Sequence, residues 1–198
     1  MDVAVIKLGV GNTASVMFAL ERLGAHAVLT SDPVQVRDAA RVVLPGVGAA
    51  GAAMRLLNQS GMADVLRDFT RPLLGICLGQ QLLYERSEEG GAIGLGLLPG
   101  RVSALEATRQ RPSPHMGWSA LRVMQQHPLL EGVRSGDHAY FVHSYACPAD
   151  ANAIAEGEYG VAFAAAVARD NIFGCQFHPE RSGAVGARIL GNFLALPC

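Results

Sequence analysis

The 198-residue chain has little charge: 17% of its residues are Asp, Glu, Lys or Arg, and the formal net charge is −1. That balance leaves no global electrostatic pull towards nucleic acid or anionic membranes and points to small polar substrates or protein partners. No apolar run approaches the roughly 20 residues a membrane span needs. Neither a basic n-region nor a cleavage site precedes the strand-like Val3-Ala4-Val5-Ile6, so a cytoplasmic location is the expectation. The four cysteines, Cys77, Cys147, Cys175 and Cys198, are scattered without C-x-x-C spacing, which argues against a disulfide framework and for free thiols. His138, His143, Cys147 and Cys175 lack the compact ligand pairs typical of zinc sites, so no metal and no cofactor is expected. Repeats, low-complexity tracts and linkers are missing too, and residues 1–198 read as one domain.

What is present is a chain that is 50% hydrophobic, enough to bury a core without staples. Short apolar runs alternate with helical patterns: Val3 to Leu8 then Ala14 to Leu23, Ala27 to Thr30, Val42 to Pro45 then Met54 to Phe69, Leu73 to Ile76 then Leu78 to Arg86. This rhythm predicts an α/β fold with a mostly parallel central sheet and helices on both faces. After Gly90 the pattern changes to separated strands at Arg101 to Glu106, Ala120 to Met124 and Tyr140 to Cys147. An antiparallel hairpin is expected from Val161 to Phe177 around Arg169-Asp170-Asn171. A closing helix should run from Ser182, its expected N-cap, to Leu194.

Gly75-Ile76-Cys77-Leu78-Gly79 follows the apolar Pro72-Leu73-Leu74 and reads as a strand turning sharply into a helix with a cysteine at the corner. Flanking glycines permit such a turn, as in a nucleophile elbow. A helix N-terminus favours thiolate over thiol. Taken alone, Cys77 could equally be a buried small hydrophobe. Late in the chain, Phe173-Gly174-Cys175-Gln176-Phe177-His178-Pro179-Glu180 runs a strand out into a base and a carboxylate. In extended chain, residues two apart point the same way, so Glu180 can orient the His178 ring. Alone, His-Pro-Glu is also a plain strand-to-helix turn. Pro45-Gly46-Val47-Gly48 ends another strand where ligands bind in open α/β sheets. The Leu78 N–H and a peptide between Pro45 and Gly48 are candidate donors to an oxyanion. Gly9-Val10-Gly11-Asn12-Thr13-Ala14, with Asp32 downstream, meets the pattern of a dinucleotide-binding turn, and a dinucleotide-binding module is the rival reading.

Gly75 to Gly79 with Gln81, paired with Gln176 to Glu180, resembles the class I, triad-type glutamine amidotransferases over nearly the whole chain. Pro45 to Gly48, Ser87 to Gly90, Gly94 to Gly96, Pro114-His115-Met116-Gly117-Trp118, Tyr140 to Tyr145 and His178 to Ser182 are similar to the glutaminase subunits of imidazole glycerol phosphate synthases. The resemblance implies a class I amidotransferase fold with a C-terminal antiparallel portion, and hydrolysis of glutamine to glutamate and ammonia. It implies Cys77 as nucleophile, His178 as base and Glu180 as its orienting acid; oxyanion donors at Leu78, Val47 and Gly48; and substrate contacts from Gly48, Gln81, Ser144 and Tyr145. It further implies a (β/α)₈ cyclase partner in a heterodimer, met by Trp118, Ser119 and Arg181, that uses the ammonia in histidine biosynthesis. A chain filled by a glutaminase leaves no room for an ammonia-using enzyme, and reorientation of the Gly46-Val47 peptide could let such a partner gate activity.

Four residues depart from that pattern. Lys7-Leu8 stands where relatives have Asp-Tyr, Ser119 replaces an asparagine, and Arg181 replaces a lysine, changing a point charge to a fork. These leave open a paralogue that feeds a different synthase. The same fold would also suit a general cysteine hydrolase or a catalytically silent binding subunit, although a full triad speaks against silence.

Overall fold

A computed structural model of the chain describes residues 2–8 and 13–198. In its first half strands alternate with helices. β1 (Val3–Ile6), α1 (Thr13–Arg22), β2 (Ala27–Thr30), α2 (Pro33–Asp38), β3 (Arg41–Gly46), α3 (Ala50–Gln59), α4 (Met62–Arg67), β4 (Leu73–Cys77) and α5 (Leu78–Leu82) follow in order. Then come β5 (Tyr84–Ser87), β6 (Leu98–Ala104), β7 (His115–Ala120), β8 (Arg122–Val123), β9 (His138–His143), β10 (Tyr145–Ala146), β11 (Ala153–Glu158), β12 (Ala162–Arg169), β13 (Ile172–Cys175) and α6 (Gly183–Ala195).

Eight strands form the main sheet in the order β2-β1-β3-β4-β13-β12-β11-β8. The first five pair in parallel, and the last three add antiparallel. Successive residues of the central strands enter opposite cores, so these strands read as unbroken apolar runs. Val3, Val5, Val43, Leu74 and Ile76 pack on one face with α1 and α6. Ala4, Ile6, Val42, Leu44 and Leu73 pack on the other with α3 and α4. Outside this sheet, β10-β6-β5 form a three-stranded sheet and β7 pairs antiparallel with β9.

Several boundaries differ from the sequence expectation, each for a local reason. The helix expected from Met54 to Phe69 is two helices, broken at Gly61 with φ 72°, where a left-handed turn redirects the chain. Leu78 to Arg86 is helical only to Leu82, because Tyr84–Ser87 pairs with β6. The strand expected over Tyr140 to Cys147 divides at Ser144, one part pairing with β7 and the other with β6. That expected over Ala120 to Met124 is the end of β7 followed by β8. The β12–β13 hairpin is present with Arg169 paired to Ile172. β11 and α2 went unforeseen. Ser182 sits at the α6 N-cap but does not cap: its hydroxyl donates to the His178 carbonyl at 2.7 Å and accepts the Tyr140 N–H at 3.0 Å. Lys7 is exposed beyond the end of β1, which explains a lysine after a buried strand.

Candidate active site

β4 lies between β3 and β13, and all three run parallel, so their carboxyl ends open on the same edge of the sheet. Cys77 is the last residue of β4 and stands beside Gly46 of β3. The chain leaving β13 passes through Gln176 and Phe177 to His178 on the other side. Three segments far apart in sequence thus meet through sheet register alone.

Cys77 has φ 54° and ψ −111°, a conformation strained for a residue with a Cβ. The positive φ falls on the cysteine itself and not on the flanking glycines. Those glycines serve close packing. A Cβ on Gly79 would lie 1.8 Å from the Leu44 carbonyl oxygen, and one on Gly75 would lie 2.6 Å from the Gly79 carbonyl. Helix α5 therefore starts pressed against β3, its first residues beside Gly46, where an added Cβ would lie 2.9 Å from the Leu78 Cβ and 3.0 Å from the Gly79 nitrogen.

His178 Nδ1 lies 2.9 Å from Glu180 Oε1. Both side chains are nearly enclosed, 13% and 2% exposed, so water screens the pair little. Burial alone would push the imidazole pKa down. Hydrogen bonding and charge from Cys77 and Glu180 outweigh it and hold His178 up at about 10. The second oxygen of Glu180 has no hydrogen-bond partner among the described residues. The Cys77 sulfur lies 3.6 Å from the Val142 carbonyl oxygen, and the buried Gln176 amide reaches it at 3.8 Å.

A cavity of about 270 Å³ opens over the sulfur. It is bounded by Val47, Gly48, Cys77, Leu78, Gln81, Ser144, Tyr145 and His178, all named from the sequence. That volume is just below the roughly 300–1,000 Å³ typical of drug-sized ligands and suits a small polar molecule. Gln81 donates both amide N–H groups to the protein, to the Tyr145 carbonyl at 2.8 Å and to Gln176 Oε1 at 3.0 Å. Its carbonyl oxygen is the end left for a ligand. Tyr145 contributes its carbonyl twice over, to Gln81 and to His143, and the Ser144 carbonyl accepts from the Leu105 N–H.

Glu89, Pro114, Val142 and His143 also border the cavity and were not named as site residues. Glu89 accepts the Ala50 N–H at 2.6 Å at the start of α3, which fixes its carboxylate at the rim. The repeated Glu88-Glu89 was the available signal, but the two carboxylates diverge. Glu88 bonds the Ala104 N–H and Arg101.

Outside the cavity, Trp118 is 56% and Met116 63% exposed on β7. Trp118 meets the Tyr140 ring edge-on at 5.9 Å, and the exposed Arg181 lies 5.0 Å over that same ring. Core packing of Trp118 is thereby excluded. Ser119 turns inward instead, its hydroxyl 2.8 Å from His115 Nε2.

Of the rival signals, Gly9, Val10, Gly11 and Asn12 lie outside the described residues. Asp32 caps α2 by accepting the Val34 N–H at 2.9 Å, a structural use of the acid that the nucleotide reading needed. Among the described residues no three His, Cys, Asp or Glu side chains converge as metal ligands, and no helix is long and apolar enough to cross a membrane. Burial pushes the Cys147 thiol up to about 12 and raises Cys175 as well, as expected of inert core thiols.

A doubly wound sheet with a strained cysteine at a strand-to-helix corner, next to a histidine–glutamate pair, defines an α/β enzyme of the acyl-transfer type. The chain belongs to the class-I glutamine amidotransferase family, whose pattern matches residues 5–196. Within that family it is similar to imidazole glycerol phosphate synthase subunits. Subunit HisH 2 of Legionella pneumophila strain Paris is 48% identical over 194 residues, 98% of each chain. Subunit HisH of Xylella fastidiosa strain Temecula1 is 49% identical over 195 residues, again 98% of each. A solved glutamine amidotransferase superposes with a TM-score of 0.77 at 20% identity, covering 99% of this chain and 100% of the other, which bears on the fold alone.

Proposed function

We propose that this chain is the glutaminase subunit of an imidazole glycerol phosphate synthase, using Cys77, His178 and Glu180 as its triad. The observation that carries the reading is the joining of Cys77, His178 and Gln81 at one small cavity, with Glu180 locking the imidazole from behind. The Cys77 sulfur attacks the side-chain amide carbon of glutamine while His178, held protonated, carries the proton of the cysteine–histidine pair. The tetrahedral oxyanion is received by the Leu78 N–H and by the Val47 or Gly48 N–H across the strand. A proton held on His178 then goes to the departing nitrogen, and the C–N bond breaks to give ammonia and a glutamyl thioester. Water, deprotonated by His178, cleaves the thioester to glutamate and restores the thiol. The Gln81 carbonyl and the Glu89 carboxylate are placed to accept from the substrate's α-ammonium, with Gly48, Ser144 and Tyr145 completing the grip.

The ammonia passes to a (β/α)₈ cyclase partner that forms imidazole glycerol phosphate and aminoimidazole carboxamide ribotide, in the cytoplasm. The exposed Trp118, with Arg181 stacked on Tyr140, is a face suited to that partner, since aromatic residues and arginine dominate interface energies. Glutamate release, measured with and without the cyclase, tests the proposal. Turnover that rises with the cyclase and disappears in Cys77→Ser is expected. No glutamate under either condition, with Cys77 also inert to a glutamine-mimicking alkylator, would overturn it.

A further inference from the structure

We propose that Ser119, His115, His143 and Gln176 are positioning residues: a hydrogen-bond relay from Ser119 through both histidines fixes the Tyr145 carbonyl, which, together with Gln176, holds the Gln81 amide in place. The inference rests on the glutaminase reading for its kinetic consequence but not for its structure. Ser119 Oγ lies 2.8 Å from His115 Nε2, His115 Nδ1 lies 3.1 Å from His143 Nε2, and His143 Nδ1 lies 2.8 Å from the Tyr145 carbonyl.

Donor and acceptor roles follow by elimination. A carbonyl oxygen only accepts, so His143 carries its proton on Nδ1. Burial holds both rings neutral, with His143 down at about 4 and His115 below its usual value. Its hydrogen bond to the Tyr145 carbonyl works against burial at His143, while nearby His115 and His178 add to it. The bare Nε2 of His143 must accept from His115 Nδ1–H, and the bare Nε2 of His115 must accept from the Ser119 hydroxyl. Beyond Tyr145 the same logic continues. Gln81 donates to the Tyr145 carbonyl and to Gln176 Oε1, which leaves the Gln176 N–H groups facing the Cys77 sulfur. Two donor chains therefore converge on the Tyr145 carbonyl, one from β7 through His143 and one from Gln81, leaving the Gln81 carbonyl to the cavity and a Gln176 N–H to the sulfur.

Stacking fixes the rings that carry it. His115 stacks between Tyr159 at 4.2 Å and Phe141 at 5.2 Å, and His143 meets the Phe163 edge at 5.0 Å. Ser119 is only half buried and sits at the accessible end. Without its hydroxyl, His115 is free to carry its proton on Nε2. His143 would then lose its donor and present a lone pair to Tyr145, loosening Gln81.

Two measurements test this. In ¹⁵N-histidine spectra of the free chain at neutral pH, His115 and His143 are both expected as the Nδ1–H tautomer; an Nε2–H on either overturns the relay. In glutamine hydrolysis with the cyclase present, Ser119→Ala is expected to raise KM about three- to tenfold, the worth of one neutral hydrogen bond, with kcat within about twofold, and Ser119→Thr should restore KM. A folded Ser119→Ala chain with unchanged KM, an effect confined to kcat, or a failed rescue by threonine also overturns it. Were wild type itself to release no glutamate, the glutaminase reading would fall while the spectra still decide the relay.

Discussion

Replacing Gly79 by alanine puts the closest packing in the site to the test. The new Cβ would lie 1.8 Å from the Leu44 carbonyl oxygen and 2.9 Å from its carbon, short of ordinary van der Waals contact by about 1.6 Å at the oxygen. Neither neighbour can yield cheaply. The atoms are backbone in buried β3, whose neighbours β1 and β4 hold it on both sides. Helix α5 must therefore retreat, and it carries Leu78, Gln81 and the C-terminal half of the elbow. Overpacking of this kind costs about 1–3 kcal/mol or more. At roughly 2–4 °C per kcal/mol for a chain of this size, the expected fall in Tm is about 6–12 °C for a cost near 3 kcal/mol. A displacement of about 1 Å at the elbow should also lower glutamate release about a hundredfold. Gly191→Ala is the internal control. That glycine lies within α6 with nothing within 4 Å of its missing Cβ and no positive φ, so alanine there should stabilise by about 0.5–1 kcal/mol. Differential scanning calorimetry of both variants, with turnover assays, decides the matter. If Gly79→Ala melted within a degree or two of wild type and kept its rate, the account of the elbow would be refuted.

The strain at Cys77 should appear as a difference between two inactive variants: Cys77→Gly, free of the penalty at φ 54°, should exceed Cys77→Ala in stability by about 1–2 kcal/mol by chemical denaturation. Glu180→Gln removes the carboxylate that helps hold His178 protonated, so an imidazole titration should show its pKa falling from about 10 towards the ordinary range, with turnover reduced about a hundredfold. His143 has the opposite sign. Its folded pKa is depressed, chiefly by burial, to about 4, so its contribution is complete above the unfolded value near 6.5. That contribution, about 3 kcal/mol, is lost as pH falls to 4. Urea unfolding from pH 7 to pH 4 should therefore show a flatter acid limb in His143→Gln, and equal slopes in the two proteins would count against this assignment.

Local chemistry made part of this molecule readable in advance. The elbow around Cys77, the His178–Glu180 spacing and the Pro45–Gly48 turn are short segments whose backbone chemistry depends on near neighbours, and the alternation of apolar runs determined a layered α/β sheet. Resemblance to a known family, not spacing, carried Gln81, Ser144 and Tyr145. Strand order decided the rest. Placing β4 between β3 and β13 brought together residues 46, 77 and 178. Pairing β7 with β9 set His115 opposite His143, and nothing in the chain's local pattern announces that pair. The same long-range choices turned Ser119 inward while leaving Trp118 exposed, and brought Glu89 rather than Glu88 to the cavity. Residue type and spacing determine what a segment can do chemically; which side chains meet depends on register between strands distant in sequence, and that is settled only when both cores close.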